Sequence, residues 1–183
     1  MMDTANRLSK LTISLHWIVA ILIVVLCAVG LYMTRAEAWS LYPIHKSLGV
    51  LVLIIAIVRI IWRIINGWPV AAANYTSLEQ VTAKIIKWAL ILGTIALPLS
   101  GMLFSAASGH GFGLFGLVLV PAQHIPGNPA EVLAYSEFWA NTGETMHHVS
   151  AYVLIAAILL HMAGAFKHHF IDKDATLKRM LGK

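Results

Sequence analysis

The residues of this chain best suited to chemistry are its nine histidines: His16, His45, His110, His124, His147, His148, His161, His168 and His169. A neutral imidazole can ligate a metal, carry a proton or form a hydrogen bond between elements. Spacing begins to separate these roles. His147 and His161 are 14 residues apart, which on an α-helix returns them to within about 40° of one face, about 21 Å apart along the axis. His148 points about 140° away from His161. The geometry therefore selects His147 over its neighbour.

These side chains need elements to position them, and hydropathy supplies four. Apolar runs at about Leu11–Met33, Ile44–Ile65, Ile85–Ala107 and Met146–Phe166 each reach the ~20 residues that cross ~30 Å of hydrocarbon. Gly67, Pro69 and Asn74 break the chain after the second run, and Thr76 or Ser77 is placed to cap a short helix leading to the third. Residues 108–145, rich in glycine and proline, read as a structured loop with short amphipathic pieces over one end of a bundle. Four spans put both termini on one side. Of the 13 lysines and arginines, only Arg35 and Lys46 then fall on the opposite side, so the positive-inside rule puts both termini in the cytoplasm and the loop in the periplasm. The expected fold is all-α: an integral membrane four-helix bundle forming one domain over residues 1–183.

Depth now pairs the histidines. His16 and His161 lie near the inner ends of spans one and four, and His45 and His147 near the outer ends of spans two and four. Each pair can offer two neutral imidazoles to one metal-centred plane, which is the axial ligation that haem iron accepts. A mononuclear zinc site needs three or four ligands together. A single histidine in a span is more often a hydrogen-bonding residue between helices; four that pair by depth favour ligation. Fourteen residues beyond His16 stands Gly30, and beyond His45 stands Arg59. Gly30, like Gly49, either admits a macrocycle edge or merely lets helices pack. Arg59 either pairs with a haem propionate or is a boundary charge that snorkels to water.

Composition narrows the class. Hydrophobic residues make up 59% of the 183 and charged ones 11%, against about 25% charged in soluble domains. The net charge of +5 belongs to cations flanking apolar runs, so it does not indicate nucleic acid. Cys27, the single cysteine, supports neither a disulfide framework nor a cysteine-based metal site. With Leu26 before it, it is no lipoprotein acceptor. The first run is too long for the core of a leader peptide and is expected to be a retained span. The glycines from Gly109 to Gly116 lack the strand and helix that a phosphate loop requires.

Several stretches carry a family resemblance: Ser14 to Trp17 around His16; Ile44 to Gly49 and on to Val58 through Arg63; Ala96 to Gly101; Phe115 to Leu117; Met146-His147 through Leu160-His161; and the tail His168 to Asp174 followed by Leu177 to Leu181. In this order the chain resembles the bacterial cytochrome b561 family, four-helix inner-membrane proteins with two b-type haems. The resemblance implies His16, His45, His147 and His161 as axial ligands. It also implies ubiquinone chemistry and, as in members described as superoxide oxidases, a superoxide:ubiquinone oxidoreductase fed from the periplasm. Two departures stand out. Lys84 and Lys87 occupy the start of the third span, where members often have histidine, and His148 follows His147 where an acid is common.

With two imidazoles per iron, the expected chemistry is outer-sphere electron transfer. Arg35 and Lys46 are the outer cations available to attract superoxide. His168, with Lys84 or Lys87 nearby, is the quinone candidate, against a reading of His168 and His169 as an interfacial polar cap. The rival function is a haem-bearing membrane anchor that relays electrons for a partner dehydrogenase or periplasmic cytochrome docked on the outer loop. A third reading is a metal-ion transporter. No role is assigned to His110, His124, His148 or His169.

Overall fold

The computed structural model describes residues 2–4, 7–69, 71–73 and 75–183. The break expected at Asn74 lies outside them. Four helices carry the fold: α1 (Lys10–Ala36), α2 (Tyr42–Asn66), α3 (Ser77–Ala107) and α4 (Glu137–Phe166). All four are long and apolar enough to cross a membrane.

Local chemistry sets their ends. Ser9 caps α1, its hydroxyl accepting from the Thr12 amide at 3.2 Å, and Glu37 ends it in the left-handed region at φ 49°. Pro43 opens the first turn of α2, where its missing N–H costs nothing, and Gly67 ends that helix at φ 74°. Thr76 and Glu79 form a reciprocal capping box at the start of α3. Ser136 caps α4.

Two helices start earlier than hydropathy suggested, α3 at Ser77 instead of Ile85 and α4 at Glu137 instead of Met146. Hydropathy detects the apolar length, whereas the caps decide where helical hydrogen bonding begins. Thr76 thus opens α3 itself, not a separate short helix. The α3–α4 connection is correspondingly shorter than residues 108–145, and Glu137 and Glu144 stand on α4. Its ordered pieces are two antiparallel hairpins, β1 (Phe112–Leu114) with β2 (Leu117–Val120) and β3 (His124–Ile125) with β4 (Asn128–Val132).

The helices pack in chain order, with the α3–α4 contact by far the largest. Glycine permits it. A Cβ on Gly143 of α4 would lie 2.6 Å from the Phe104 amide nitrogen of α3, and one on Gly93 would lie 2.9 Å from Leu154 Cδ1. The core is a single aliphatic layer of Val19, Ile23, Leu26, Val52, Ala56, Leu97 and Leu154. Leu154 is 0% exposed and stands midway between His147 and His161 on α4.

At the end where both termini lie, α4 runs on into a π-helical turn (Lys167–Ile171) and a short helix α5 (Thr176–Met180). The Trp17 indole donates to the Met180 carbonyl at 2.9 Å and ties this tail to α1. Ahead of α1, Asp3 accepts from Arg63 at 2.5 Å, the Ser9 amide at 2.8 Å and the Thr12 hydroxyl at 2.9 Å. Burial pushes the Asp3 carboxyl up, but these hydrogen bonds outweigh it and hold it well below the usual carboxylate range. A depressed carboxylate stabilises the fold above its unfolded value of about 4 and loses that contribution as pH falls through the folded value. Asp3→Asn is therefore expected to lower stability by about 1–3 kcal/mol at neutral pH. The deficit should shrink below about pH 4, as followed by thermal unfolding in detergent; a deficit independent of pH would contradict this account.

Candidate functional site

Four of the predicted histidines meet in two pairs. His16 of α1 faces His161 of α4 with ring centres 6.3 Å apart and planes inclined at 58°. His45 of α2 faces His147 of α4 at 6.4 Å and 82°. The pairs are separated along α4 by about 21 Å, with the aliphatic core layer between them. Helix α4 packs almost wholly on α3 and touches α1 little, yet its histidines address α1 and α2. His161 is exposed on an apolar helix.

Each ring has a distinct environment. His147 Nδ1 lies 2.9 Å from the Leu97 carbonyl. A carbonyl only accepts, so Nδ1 holds the proton and Nε2 keeps its lone pair for a ligand bond. Gly101 permits this approach: a Cβ there would fall 2.9 Å from His147 Cε1 and 3.0 Å from Nδ1. The Ser100 hydroxyl donates to the same Leu97 carbonyl at 2.8 Å. Leu97 and Gly101 both lie in the Ala96–Gly101 stretch that carries the family resemblance, but the sequence assigned neither a positioning role. No local pattern of the sequence marks this contact. His45 has a buried Nδ1 with no hydrogen-bond partner among the described residues. Gly30 stands against it, since a Cβ there would be 3.4 Å from His45 Cε1, whereas a Cβ on Gly49 would meet nothing within 4 Å.

Arg59 lies in the His16 layer, as its offset from His45 predicts, and its Nη2 is 3.2 Å from His16 Nδ1. A guanidinium can only donate, so this contact makes Nδ1 the acceptor. At the other layer the Lys46 ammonium donates to the Gly111 carbonyl at 3.0 Å, beside a Ser105 hydroxyl that donates to the same oxygen at 2.5 Å. Burial and the Lys46 charge together hold His110 below the ordinary histidine range. Arg35, His124 and His148 are exposed.

His168 joins a different cluster. Its Nδ1 is 2.8 Å from Asp172 and 3.3 Å from Asp174, and its ring lies 4.5 Å from that of Tyr75. Tyr75 donates to Asp174 at 2.6 Å, and Lys167 pairs with both Asp172 and Glu79. His169 packs edge-on to Phe170. Lys87 lies 4.7 Å over the Trp68 ring, and Lys84 is exposed. The sequence did not place Tyr75, Asp172 and Asp174 beside His168, which stands in the π-helical turn Lys167–Ile171. The alternation His168, Asp172, Asp174 was the available signal.

Gly101→Val is expected to drive His147 off the Leu97 carbonyl and to lower thermal stability by about 1–3 kcal/mol through overpacking. Thermal unfolding checks the loss, and the nitrogen shifts of His147 check the tautomer. An unchanged ring signal would show that Gly101 does not govern the imidazole.

Comparisons with known proteins identify the family. The family model described as Prokaryotic cytochrome b561 matches residues 7–183. The chain is 32% identical to "Cytochrome b561 homolog 2" of Escherichia coli (strain K12), covering 99% of this chain and 94% of the relative. It is 28% identical to "Probable superoxide oxidase CybB" of Yersinia pestis, covering 97% of each. It is 29% identical to "Cytochrome b561 homolog 1" of Escherichia coli (strain K12), covering 96% of this chain and 97% of the relative. With four membrane-length helices and a match over nearly its whole length, the chain belongs to the prokaryotic cytochrome b561 family, multi-pass membrane proteins that transfer electrons by means of b-type haem.

Proposed function

We propose that His16 with His161, and His45 with His147, each hold one b-type haem. The chain would then carry electrons from superoxide on the periplasmic side of the bacterial inner membrane to ubiquinone. The separation of the paired rings carries this reading. A metal-bound imidazole nitrogen lies about 2 Å from its metal and about 1.1 Å from its own ring centre. Two rings gripping one metal from opposite sides therefore stand about 6.2 Å apart. The observed separations are 6.3 and 6.4 Å. The buried, unpartnered Nδ1 of His45 and the exposed His161 on an apolar helix also suit ligation, because an imidazole without a partner is costly in hydrocarbon.

Held by His16 with His161 and His45 with His147, haem would supply reversible one-electron chemistry. The protein's own groups do the rest. The Leu97 carbonyl fixes the His147 tautomer. Arg59 would leave His16 Nδ1 and turn its guanidinium to a propionate. Lys46, next to His45, supplies positive charge where an anionic donor would arrive, and Arg35 adds to it. The balanced reaction takes two superoxide anions, which each lose one electron and leave as dioxygen. One ubiquinone gains both electrons and two protons and becomes ubiquinol. Asp172 bonds His168 Nδ1, so Nε2 would meet a quinone oxygen, with Lys84 and Lys87 as nearby charge at that end. The excess of lysine and arginine at the end holding both termini supports a cytoplasmic placement for it.

A pyridine-haem assay and redox spectra of the purified protein test this reading. We expect two haems per chain in the wild type, about half that in His147→Ala or His161→Ala, and no loss in His148→Ala. Reduction of ubiquinone by superoxide without added protein is expected as well. A colourless protein, or loss in His148→Ala but not in His147→Ala, would refute the ligand set. Turnover only with a partner protein would favour the relay subunit.

A further inference from the structure

One part of the α3–α4 connection has no place in this reading. From Phe112 to Ala122 there is no charged side chain, and β1 and β2 fold most of it into a hairpin. Phe115 and Gly116 form the tip with φ of 46° and 95°, as a two-residue turn matching strand twist requires. Leu117, Val118 and Leu119 are 63%, 66% and 46% exposed. Successive strand side chains point to opposite faces, so this strand is uncovered on both. A folded partner covers one face of a hairpin; a fluid apolar medium wets both.

The depth of the hairpin points to the same medium. The Phe115 amide donates to the Ser47 hydroxyl at 3.1 Å, and Ser47 lies about 7.5 Å along α2 from its start at Tyr42. The tip therefore lies alongside a spanning helix and not above its end. Lys46 ties the root of the hairpin to the same helix through the Gly111 carbonyl. Exposed Trp39, Tyr135 and Trp139 gather at this end of the bundle, types that favour the boundary between lipid and water, with exposed Phe138 beside them. An apolar cavity of about 520 Å³ opens beside them, lined by Leu103, Ala106, Val120, Tyr135 and Trp139. By contrast, the second hairpin carries His124, Asn128 and Glu131.

We propose that the β1–β2 hairpin is a membrane-inserted element, with Phe115, Leu117, Val118 and Leu119 in the headgroup–acyl boundary of the leaflet at this end. The two-stranded sheet has unpaired backbone edges that hydrocarbon cannot satisfy. The boundary satisfies both needs, giving acyl chains to the side chains and polar groups to the edges. The hairpin thereby becomes a lipid-held wall beside the α2 turn that carries His45. This inference does not depend on which residues hold haem.

Depth-dependent quenching tests it. In the full chain carrying Cys27→Ala, single substitutions Val118→Cys, Leu119→Cys and Glu131→Cys are labelled with an environment-sensitive dye and reconstituted into phosphatidylcholine vesicles. Dyes at Val118 and Leu119, on opposite faces, should both be quenched by brominated acyl chains at least about threefold more than the dye at Glu131, with the order reversed for aqueous iodide. Iodide quenching at Val118 and Leu119 equal to that at Glu131 would overturn the proposal. Shielding of one face alone, or oxidative crosslinking of Val118→Cys chains into dimers, would also overturn it by pointing to a protein partner.

Discussion

Hydrocarbon offers an imidazole no hydrogen bond, and the centre of this molecule is organised around that fact. A histidine on a spanning helix must find a partner within the protein or in something the protein binds. Here four histidines from α1, α2 and α4 resolve into two facing couples. Helix α4 contributes to both, although its packing is almost all with α3. The α3–α4 contact is therefore the rigid support, and the imidazole pairs connect this support to α1 and α2. Membership of a haem-carrying family makes a cofactor between these units a physically coherent reading. Such a group would join helices that aliphatic packing alone joins weakly.

The support is built from small residues. Lipid gives packing helices no hydrophobic advantage, so close backbone approach and polar contacts must supply the attraction. Gly143 admits the Phe104 backbone and Gly93 admits Leu154. Gly101 admits the His147 ring, whose Nδ1 then reaches the Leu97 carbonyl. Packing and chemistry thus share one seam: the glycines that let α4 approach α3 also orient one imidazole. Leu154 seals the layer between the two histidine depths.

Polar networks concentrate at the ends of the spans, near water, where charges are less costly than in mid-membrane. Asp3, Thr12, Arg63 and Trp62 knit the chain start to the end of α2. Tyr75, His168, Asp172 and Asp174 gather where α4 leaves its α-helical course. At the opposite end, Lys46, Ser105 and Gly111 close the connection onto α2 and α3. The layout follows the solvent: apolar seams in the middle of the spans and hydrogen-bonded clasps at their ends.

The sequence by itself determined that there are four spans, because twenty apolar residues in a row have few other uses, and it assigned four histidines to two depths by their places along those spans, with helical periodicity choosing His147 over His148. The offsets that put Gly30 against His45 and Arg59 beside His16 were legible for the same reason, since a helix converts residue number directly into height and angle. The tertiary structure alone decided what has no such periodic record. Caps, not hydropathy, set the starts of α3 and α4. His168 meets two carboxylates where the chain leaves the α-helix, and tight turns made hairpins where amphipathic pieces were expected. Most of all, the Leu97 carbonyl reaches His147 only because two helices approach within the space a missing side chain leaves. That is a contact between distant parts of the chain, and no local pattern encodes it.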